Sequence, residues 1–260
     1  MLRISNLDVS IQSIDILRGV NLTLEKGQMA GLVGRNGAGK TTFVNMITGY
    51  LKPDEGRITF GSVDITGMAP REITRLGVCR SFQIPQLYNS MTALENLEAA
   101  FGIVLLNSAS GGWFVSPRTP VPGYGAPIRE LAEQALERFE LTAYRDKVTR
   151  VLPGGVRKVL DIAMAMAVQP TILLLDEPTS GVSAEEKFGI MDMVMGVVRE
   201  AGTTVLFVEH DMEVVARHAD RVLAFYDGRI IADGTPDEAL NHEQVLKHIV
   251  GHTHHATTGQ

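Results

Sequence analysis

The stretch Met29-Ala-Gly-Leu-Val-Gly34-Arg-Asn-Gly-Ala-Gly39-Lys40-Thr41 decides the fold class of this chain of 260 residues. Residues 29–33 form a continuous apolar run, which predicts a buried strand. From residue 40 to residue 50 the apolar side chains follow helical spacing. The glycine-rich segment therefore connects a strand to a helix, and residues 34–41 fit the phosphate-binding pattern G-x-x-x-x-G-K-[ST].

Each residue type in this segment has a role in binding phosphate groups. Glycines let the backbone curl until its N–H groups converge on phosphate oxygens. The helix that begins at Lys40 adds the positive end of its dipole. The ammonium of Lys40 is expected on the β and γ phosphates, and the hydroxyl of Thr41 is expected on Mg²⁺. The sequence thus predicts that the chain binds a nucleoside triphosphate.

Two carboxylates and a histidine follow other predicted strands. Asp176 and Glu177 end the apolar run of residues 171–175, and His210 follows the run of residues 205–208. In an open α/β sheet, ligands bind at the carboxyl ends of the strands. We expect Asp176 to hold Mg²⁺ through water, Glu177 to polarise the attacking water, and His210 to contact the γ-phosphate and orient Glu177.

The rest of the chain predicts an α/β fold with a parallel sheet. Alternating patterns at residues 7–11 and 20–24 predict early strands, and helices are predicted at 92–104, 128–141, 156–168 and 184–200. Residues 107–127 contain glycines, prolines and Trp113, which predict an irregular surface insertion whose role stays open. Residues 251–260 contain three histidines and predict a flexible tail.

Composition excludes several functional classes. The 24 basic and 30 acidic residues give a formal net charge of −6, which argues against broad binding to nucleic acid. A single cysteine excludes a disulfide within the chain and is typical of a reducing compartment. No signal peptide and no apolar run of about 18 residues is apparent, so we expect a soluble, cytoplasmic chain that reaches a membrane only through a partner.

The ordered set of motifs resembles the nucleotide-binding subunits of ABC transporters over about residues 1–250. Residues 34–41 match the Walker A motif, and Arg80-Ser-Phe-Gln83 looks like the Q-loop. Leu152-Pro-Gly-Gly-Val156 stands at the signature motif, residues 173–177 at Walker B, and His210 at the switch position. The resemblance implies a P-loop NTPase fold of the ABC type. That fold has a RecA-like core at about 1–90 and 156–240, an antiparallel β subdomain, and a helical subdomain at about 91–155.

The same resemblance assigns the site residues. It implies ATP and Mg²⁺ as cofactors, with Glu177, His210 and Gln83 as catalytic residues and with Thr41, Gln83 and Asp176 as metal ligands. It also implies a set of residues that contact ATP, either directly or across a dimer interface: Ile11, Gly34, Asn36, Gly37, Ala38, Gly39, Lys40, Thr41, Thr42, Gly154 and Gly155.

Finer features resemble the LivG-type branch of branched-chain amino acid transporters. They are residues 73–83, 91–97, 228–238 and 244–251, and the insertion before the signature. This branch implies an importer at the cytoplasmic face of the membrane. Its other parts are a second ABC ATPase subunit, two transmembrane permease subunits and an external solute-binding protein, with no nucleic acid. A groove beside Gln83 would receive a coupling helix of the permease.

Four positions depart from the general ABC pattern. Ile11 stands where an aromatic residue stacks on adenine, and Ser183 replaces the D-loop aspartate. Pro153 replaces the signature serine and Val156 replaces the signature glutamine. Because proline lacks both a hydroxyl and a backbone N–H, we expect the ATP site completed by Pro153 to be the weaker of two unequal sites.

Two other functions stay open at the level of sequence. One is the ATPase of a lipid or lipopolysaccharide exporter, and the other is an ABC ATPase that serves no transporter. The sequence leaves the solute open because other subunits select it. It also leaves open whether the ATPase pair is a homodimer or a heterodimer and whether the two ATP sites are equally active.

Overall fold

The computed structural model describes residues 1–107 and 116–250. The predicted tail at 251–260 and the part of the insertion that holds Trp113 lie outside these residues. The strands are β1 (Leu2–Ile11), β2 (Ile14–Leu24), β3 (Met29–Gly34), β4 (Glu55–Phe60), β5 (Val63–Asp64), β6 (Val78–Ser81), β7 (Ile172–Asp176), β8 (Thr204–Val208), β9 (Arg221–Tyr226) and β10 (Arg229–Gly234). The α-helices are α1 (Lys40–Ile47), α2 (Pro70–Arg75), α3 (Ala93–Asn107), α4 (Ile128–Arg138), α5 (Gly154–Met166), α6 (Lys187–Glu200), α7 (Met212–His218), α8 (Pro236–Leu240) and α9 (Glu243–Val245).

The chain forms two compact units. The first unit contains Met1–Val78 and the chain from Thr204 onward, and the second unit contains Cys79–Thr203. The resemblance predicts a RecA-like core and a helical subdomain with boundaries near residues 90 and 155. The compact units divide the chain at other positions and by another criterion, the packing of the backbone, so the two subdomains stay a prediction.

The first unit contains an antiparallel sheet and four strands that pair in a second, mostly parallel arrangement. The antiparallel sheet has the strand order β2-β1-β4-β5. In the other sheet the order is β10-β9-β3-β8, where β3 pairs in parallel with both β9 and β8. Phe43 of α1 packs against Phe225 of β9 with ring centroids 5.2 Å apart, and both side chains are fully buried. This contact fixes α1 against the strand beside the phosphate-loop strand.

The second unit is mainly helical. α3 to α6 lie here together with the hydrogen-bonded neighbours β6 and β7. In α4 the buried residues recur at helical spacing and form one apolar face: Ile128, Leu131, Ala132, Ala135 and Leu136. Residues 116–127 form turns and one isolated bridge between Pro120 and Pro127, which confirms the predicted irregularity for the described part of the insertion.

The α/β class and the type of each main element are confirmed, while several predicted boundaries are wrong. The helix predicted from residue 184 begins at Lys187. Ser183 forms a local turn instead, in which its Oγ accepts from the N–H of Glu186 at 3.3 Å. The helix predicted to residue 50 ends at Ile47, because the N–H groups of Tyr50 and Leu51 both donate to the carbonyl of Asn45.

Among residues 1–107 and 116–250, no helix combines the length and the apolar composition needed to cross a lipid bilayer.

Candidate nucleotide-binding site

The phosphate loop leaves the buried strand β3 at Gly34. All six residues of β3 are buried, and Gly34 has a φ of +156°. A β-carbon at this position would lie 2.4 Å from the carbonyl oxygen of Phe225 on the neighbouring strand. Only glycine lets the chain turn out of the sheet at so short a distance from β9.

Lys40 lies inside the curve of this loop. It is the first residue of α1, and its side chain is only 6% exposed. Its Nζ donates to the carbonyl oxygens of Gly34 at 2.6 Å and Arg35 at 3.0 Å. Within the described part of the chain, no side chain caps the start of α1. The loop therefore combines an ammonium group with the N–H groups and dipole of a helix N-terminus, which favour an anion.

The remaining loop residues line the same curve. Asn36 and Gly37 are exposed, and Ala38 is buried with its N–H donating to the carbonyl of Arg35 at 3.2 Å. On the first turn of α1, Thr41 is exposed and Thr42 is half-buried. Thr41 is thus an exposed residue on the first turn that follows the loop.

The register of the parallel strands brings His210 to the phosphate loop. Leu32 of β3 pairs with Val208 of β8, so Gly34 and His210 each lie two residues beyond this pair at the same sheet edge. Both residues line an open cleft of about 360 Å³, together with Arg35, Asn36, Met212 and Ile249. The expected neighbourhood of the histidine and the loop is therefore present within the first unit.

Ile11 lies at the tip of the β1–β2 hairpin. It pairs with Ile14 across a two-residue turn and is 43% exposed. Leu17 of the same hairpin approaches the phosphate loop, since a β-carbon at Gly39 would lie 2.7 Å from its Cδ2. Ile11 is thus an accessible apolar side chain, and it has no aromatic ring that could stack on adenine.

In the second unit, the acidic pair follows the fully buried strand β7. Asp176 is 5% exposed, and its Oδ2 lies 2.5 Å from Nη2 of Arg80 on β6. Gln83 lies beyond the end of β6, and its Nε2 donates to Oε2 of Glu177 at 2.7 Å. The structure therefore brings two predicted catalytic residues, Gln83 and Glu177, into direct contact.

The signature segment forms the start of α5. Pro153 is the N-cap residue, and its carbonyl accepts from the N–H of Arg157 at 3.0 Å. Gly154, Gly155 and Val156 form the first turn, and both Pro153 and Gly154 are exposed. These residues thus present the N-terminus of a helix of 13 residues at the surface of the second unit.

Sequence reasoning missed three buried charged residues beside the acidic pair. Arg80, Lys158 and Asp161 are each less than a tenth exposed. Burial raises the pKa of the Asp161 carboxyl, while a hydrogen bond from the Ser81 hydroxyl opposes that rise. The available signal was the pair Lys158 and Asp161, which stand three residues apart within the apolar pattern of residues 156–168.

Comparisons with known proteins identify the family. A family model described as ABC transporter matches residues 17–180. The chain is 34% identical over 96% of its length to a probable branched-chain amino acid transport ATP-binding protein LivG of Archaeoglobus fulgidus, and covers 95% of that protein. It is also 34% identical over 96% of its length to the high-affinity branched-chain amino acid transport ATP-binding protein BraF of Pseudomonas aeruginosa, and covers 98% of it.

Solved structures of ABC transporter cassettes match the fold of this chain over nearly its whole length. Two structures of MJ1267, an ATP-binding cassette of an ABC transporter, match with TM-scores of 0.82 and 0.79 at 30% and 32% identity, the second in an ADP conformation. Each match covers 96% of this chain, with 97% and 98% of the respective MJ1267 chain. A dimeric structure of the cassette MJ0796 matches with a TM-score of 0.74 at 27% identity, over 91% of this chain and 99% of that one. These matches confirm the predicted ABC-type P-loop fold with its antiparallel subdomain. The chain belongs to the ABC transporter family, as an ATP-binding subunit that hydrolyses ATP to power transport.

Proposed function

We propose that this chain powers the import of branched-chain amino acids, or of related small polar or carboxylate solutes, from the cytoplasmic face of the membrane. The contact between Gln83 and Glu177 carries the hydrolytic part of this proposal. The solute class is supported by the LivG and BraF relatives, which are named for branched-chain amino acid transport and align over 96% of this chain.

ATP is bound through its phosphates at the loop of the first unit. Lys40 neutralises the β and γ phosphates, and backbone N–H groups of the phosphate loop donate to their oxygens. Ile11 contacts the adenine as an apolar side chain. Because an aliphatic side chain lacks the face of an aromatic ring, selectivity for the base is expected to be low.

The donor chemistry of the three expected ligands suits Mg²⁺. The hydroxyl of Thr41, the amide oxygen of Gln83 and the carboxylate of Asp176 are the hard oxygen ligands that Mg²⁺ prefers. Thr41 and Gln83 are exposed residues, whereas Asp176 is 5% exposed and its Oδ2 is paired with Arg80, so Asp176 is expected to hold the ion through water. When bound, the ion supplies charge neutralisation for the phosphate oxygens.

Hydrolysis requires a base, and Glu177 supplies it. Its carboxylate takes a proton from the water that attacks the γ-phosphorus, while the bond to the β–γ bridging oxygen breaks and ADP leaves. Gln83 holds this carboxylate by the hydrogen bond of 2.7 Å and so fixes its direction before ATP arrives. His210 contacts the γ-phosphate and thereby distinguishes ATP from ADP.

The partners follow from the same proposal. A second ABC ATPase subunit places its phosphate loop opposite Gly154 and Gly155, so that each ATP lies between two subunits. Two permease subunits contact the groove beside Gln83, and an external solute-binding protein acts through the permeases. No nucleic acid takes part.

The test is a pull-down of the tagged full-length chain from detergent-solubilised native membranes, with partners identified by mass spectrometry. Two polytopic permeases and a second small ATPase are the expected partners. The binding protein encoded beside them then reveals the solute through its ligand. Recovery of soluble partners alone would contradict the transport proposal, and recovery without a binding protein among the neighbouring genes would contradict import.

A further inference from the structure

A buried ammonium group links the two chain segments that carry Gln83 and Glu177. Lys158 lies on α5 and is 3% exposed. Its Nζ donates to the carbonyl oxygen of Phe82 at 2.9 Å and to the carbonyl oxygen of Asp176 at 3.3 Å. A charge at this depth is stable only when hydrogen-bonding partners replace its hydration, so Lys158 has little freedom to leave these carbonyls.

The two carbonyls stand directly before the two residues of the hydrolytic contact. Phe82 precedes Gln83, and Asp176 precedes Glu177. Lys158 therefore restrains the backbone of both segments at the residue directly before Gln83 and the residue directly before Glu177. The side chains themselves meet at 2.7 Å. The same two segments are thus joined twice, once through Lys158 and once through the contact between Gln83 and Glu177.

The backbone of Glu177 needs such a restraint. Its φ is +48°, a left-handed conformation that is unfavourable for a residue with a β-carbon. That φ depends on how the preceding peptide group is turned, and the carbonyl of this peptide group is the one that Lys158 binds. Loss of the ammonium would let the peptide group rotate and would turn the Glu177 side chain with it.

Asp161, three residues further along α5, holds the other side of the Gln83 segment. Its Oδ2 accepts from the Ser81 hydroxyl at 2.6 Å and from the N–H of Phe82 at 3.3 Å. Its Oδ1 accepts from the N–H of Gln86 at 2.9 Å. Asp161 thus restrains the Gln83 segment alone, whereas Lys158 restrains both segments.

We propose that Lys158 is a positioning residue for ATP hydrolysis. Lys158 holds the backbone of Phe82 and Asp176 so that Gln83 and Glu177 form the hydrogen bond that directs the Glu177 carboxylate. This inference rests on the proposed roles of Gln83 and Glu177. Lys158 acts through its neighbours, so its loss lowers the rate of hydrolysis and leaves the affinity for ATP unchanged.

The first measurement compares Lys158→Met with wild type in the full-length chain. Lys147→Met is the matched control, because it makes the same change at an exposed position of the second unit. We expect kcat to fall by about tenfold to a hundredfold, the scale of a misplaced catalytic group, with an unchanged Kd for a fluorescent ATP analogue. An unchanged kcat in folded Lys158→Met protein would overturn the inference.

The second measurement is hydrogen–deuterium exchange without nucleotide, read in peptides that cover residues 82–86 and 177–180. Lys158→Met is expected to raise exchange in both peptides, Asp161→Asn only in the first, and Lys147→Met in neither. Equal exchange in Lys158→Met and wild type would overturn the inference. If Lys158→Met does not fold, Lys158→Gln, which keeps a single neutral donor group, takes its place with the same two criteria. Full turnover by Glu177→Gln would instead overturn the proposed base, and the exchange experiment would still decide the role of Lys158.

Discussion

Nη2 of Arg80 lies 2.5 Å from Oδ2 of Asp176, and both side chains are less than a tenth exposed. The pair joins β6 to the last residue of β7 within the second unit. Arg80 also lies over the ring of Phe82, with its guanidinium carbon 4.9 Å from the ring centroid. A buried carboxylate that is proposed to hold a metal ion thus has a buried counter-charge before any ligand binds.

Replacement of Arg80 by methionine should therefore destabilise the folded chain. Removal of one partner of a buried ion pair leaves the other charge uncompensated and costs about 3–5 kcal/mol. The control is Arg57→Met, because Arg57 and Asp64 form an exposed pair at 3.2 Å whose loss costs less than about 1 kcal/mol. Urea denaturation of both variants measures the difference. If the two variants lose equal stability, Arg80 is not the counter-charge that Asp176 requires.

Glu177→Gln should keep ATP binding and lose ATP turnover. Glutamine has the same length, and its side-chain oxygen still accepts from Nε2 of Gln83, so the local geometry is retained. The amide cannot take a proton from water, and we expect kcat to fall by about 10²-fold or more. Phosphate release measures turnover, and a fluorescent ATP analogue measures the Kd. Glu185→Gln, an exposed change nearby, should behave as wild type, and turnover retained in Glu177→Gln would refute the base assignment.

Alanine at Gly34 should damage the phosphate loop more than alanine at Gly37. At Gly34 the new β-carbon would lie 2.4 Å from the carbonyl oxygen of Phe225, so the strand or the loop must shift. At Gly37, where φ is +80°, a β-carbon meets nothing within 4 Å of the described structure, and only the left-handed backbone cost of about 1–2 kcal/mol applies. Thermal unfolding and ATP affinity of both variants test this order. Equal losses in the two variants would show that the close approach to β9 has no effect.

The phosphate loop and the strand–helix order could be predicted because their signals are local. Apolar runs mark β3 and β7, and the glycine pattern marks the connection from β3 to α1. The cleft that Gly34 and His210 line follows from the parallel pairing of β3 with β8. The sequence predicts that both strands belong to a parallel sheet, but it does not predict that they are neighbours.

The buried charges could not be predicted because their partners are distant in sequence. Lys158 and Asp161 occur in a helical pattern where a charge normally faces solvent. Most of their partners are hydroxyl, amide and carbonyl groups of a segment more than 70 residues earlier, as the spacing of 80 between Ser81 and Asp161 shows. The remaining partner, the carbonyl of Asp176, lies 18 residues after Lys158. A single sequence states no such pairing. The start of α6 was missed for a local reason, since Ser183 bonds to its own turn.

Cys79 should resist alkylation in the folded chain. Burial raises the pKa of its thiol from the ordinary 9.0 to about 12, so the reactive thiolate is scarce at mildly alkaline pH. Iodoacetamide labelling followed by mass spectrometry should show slow modification in buffer and rapid modification in urea. Rapid labelling of the folded chain would contradict the buried placement.

The raised pKa of the Cys79 thiol also has a consequence for stability. Between about pH 9 and 12 the unfolded chain loses this proton and the folded chain keeps it, so this thiol lowers the free energy of unfolding as the pH rises through that range.

Restoration of the signature residues tests whether the two ATP sites of the assembled transporter are unequal. Pro153 caps α5 without a hydroxyl, and Val156 places an apolar side chain on its first turn. A serine and a glutamine at these positions would add polar groups for ATP held by the opposite subunit. We expect the double variant Pro153→Ser with Val156→Gln to raise steady-state ATPase activity in the assembled transporter. A monomeric preparation of the isolated chain serves as the control, because a monomer offers no opposite phosphate loop and its activity should stay the same. An unchanged rate in the assembled transporter would mean that neither substitution limits the site, and the proposed inequality would then be wrong.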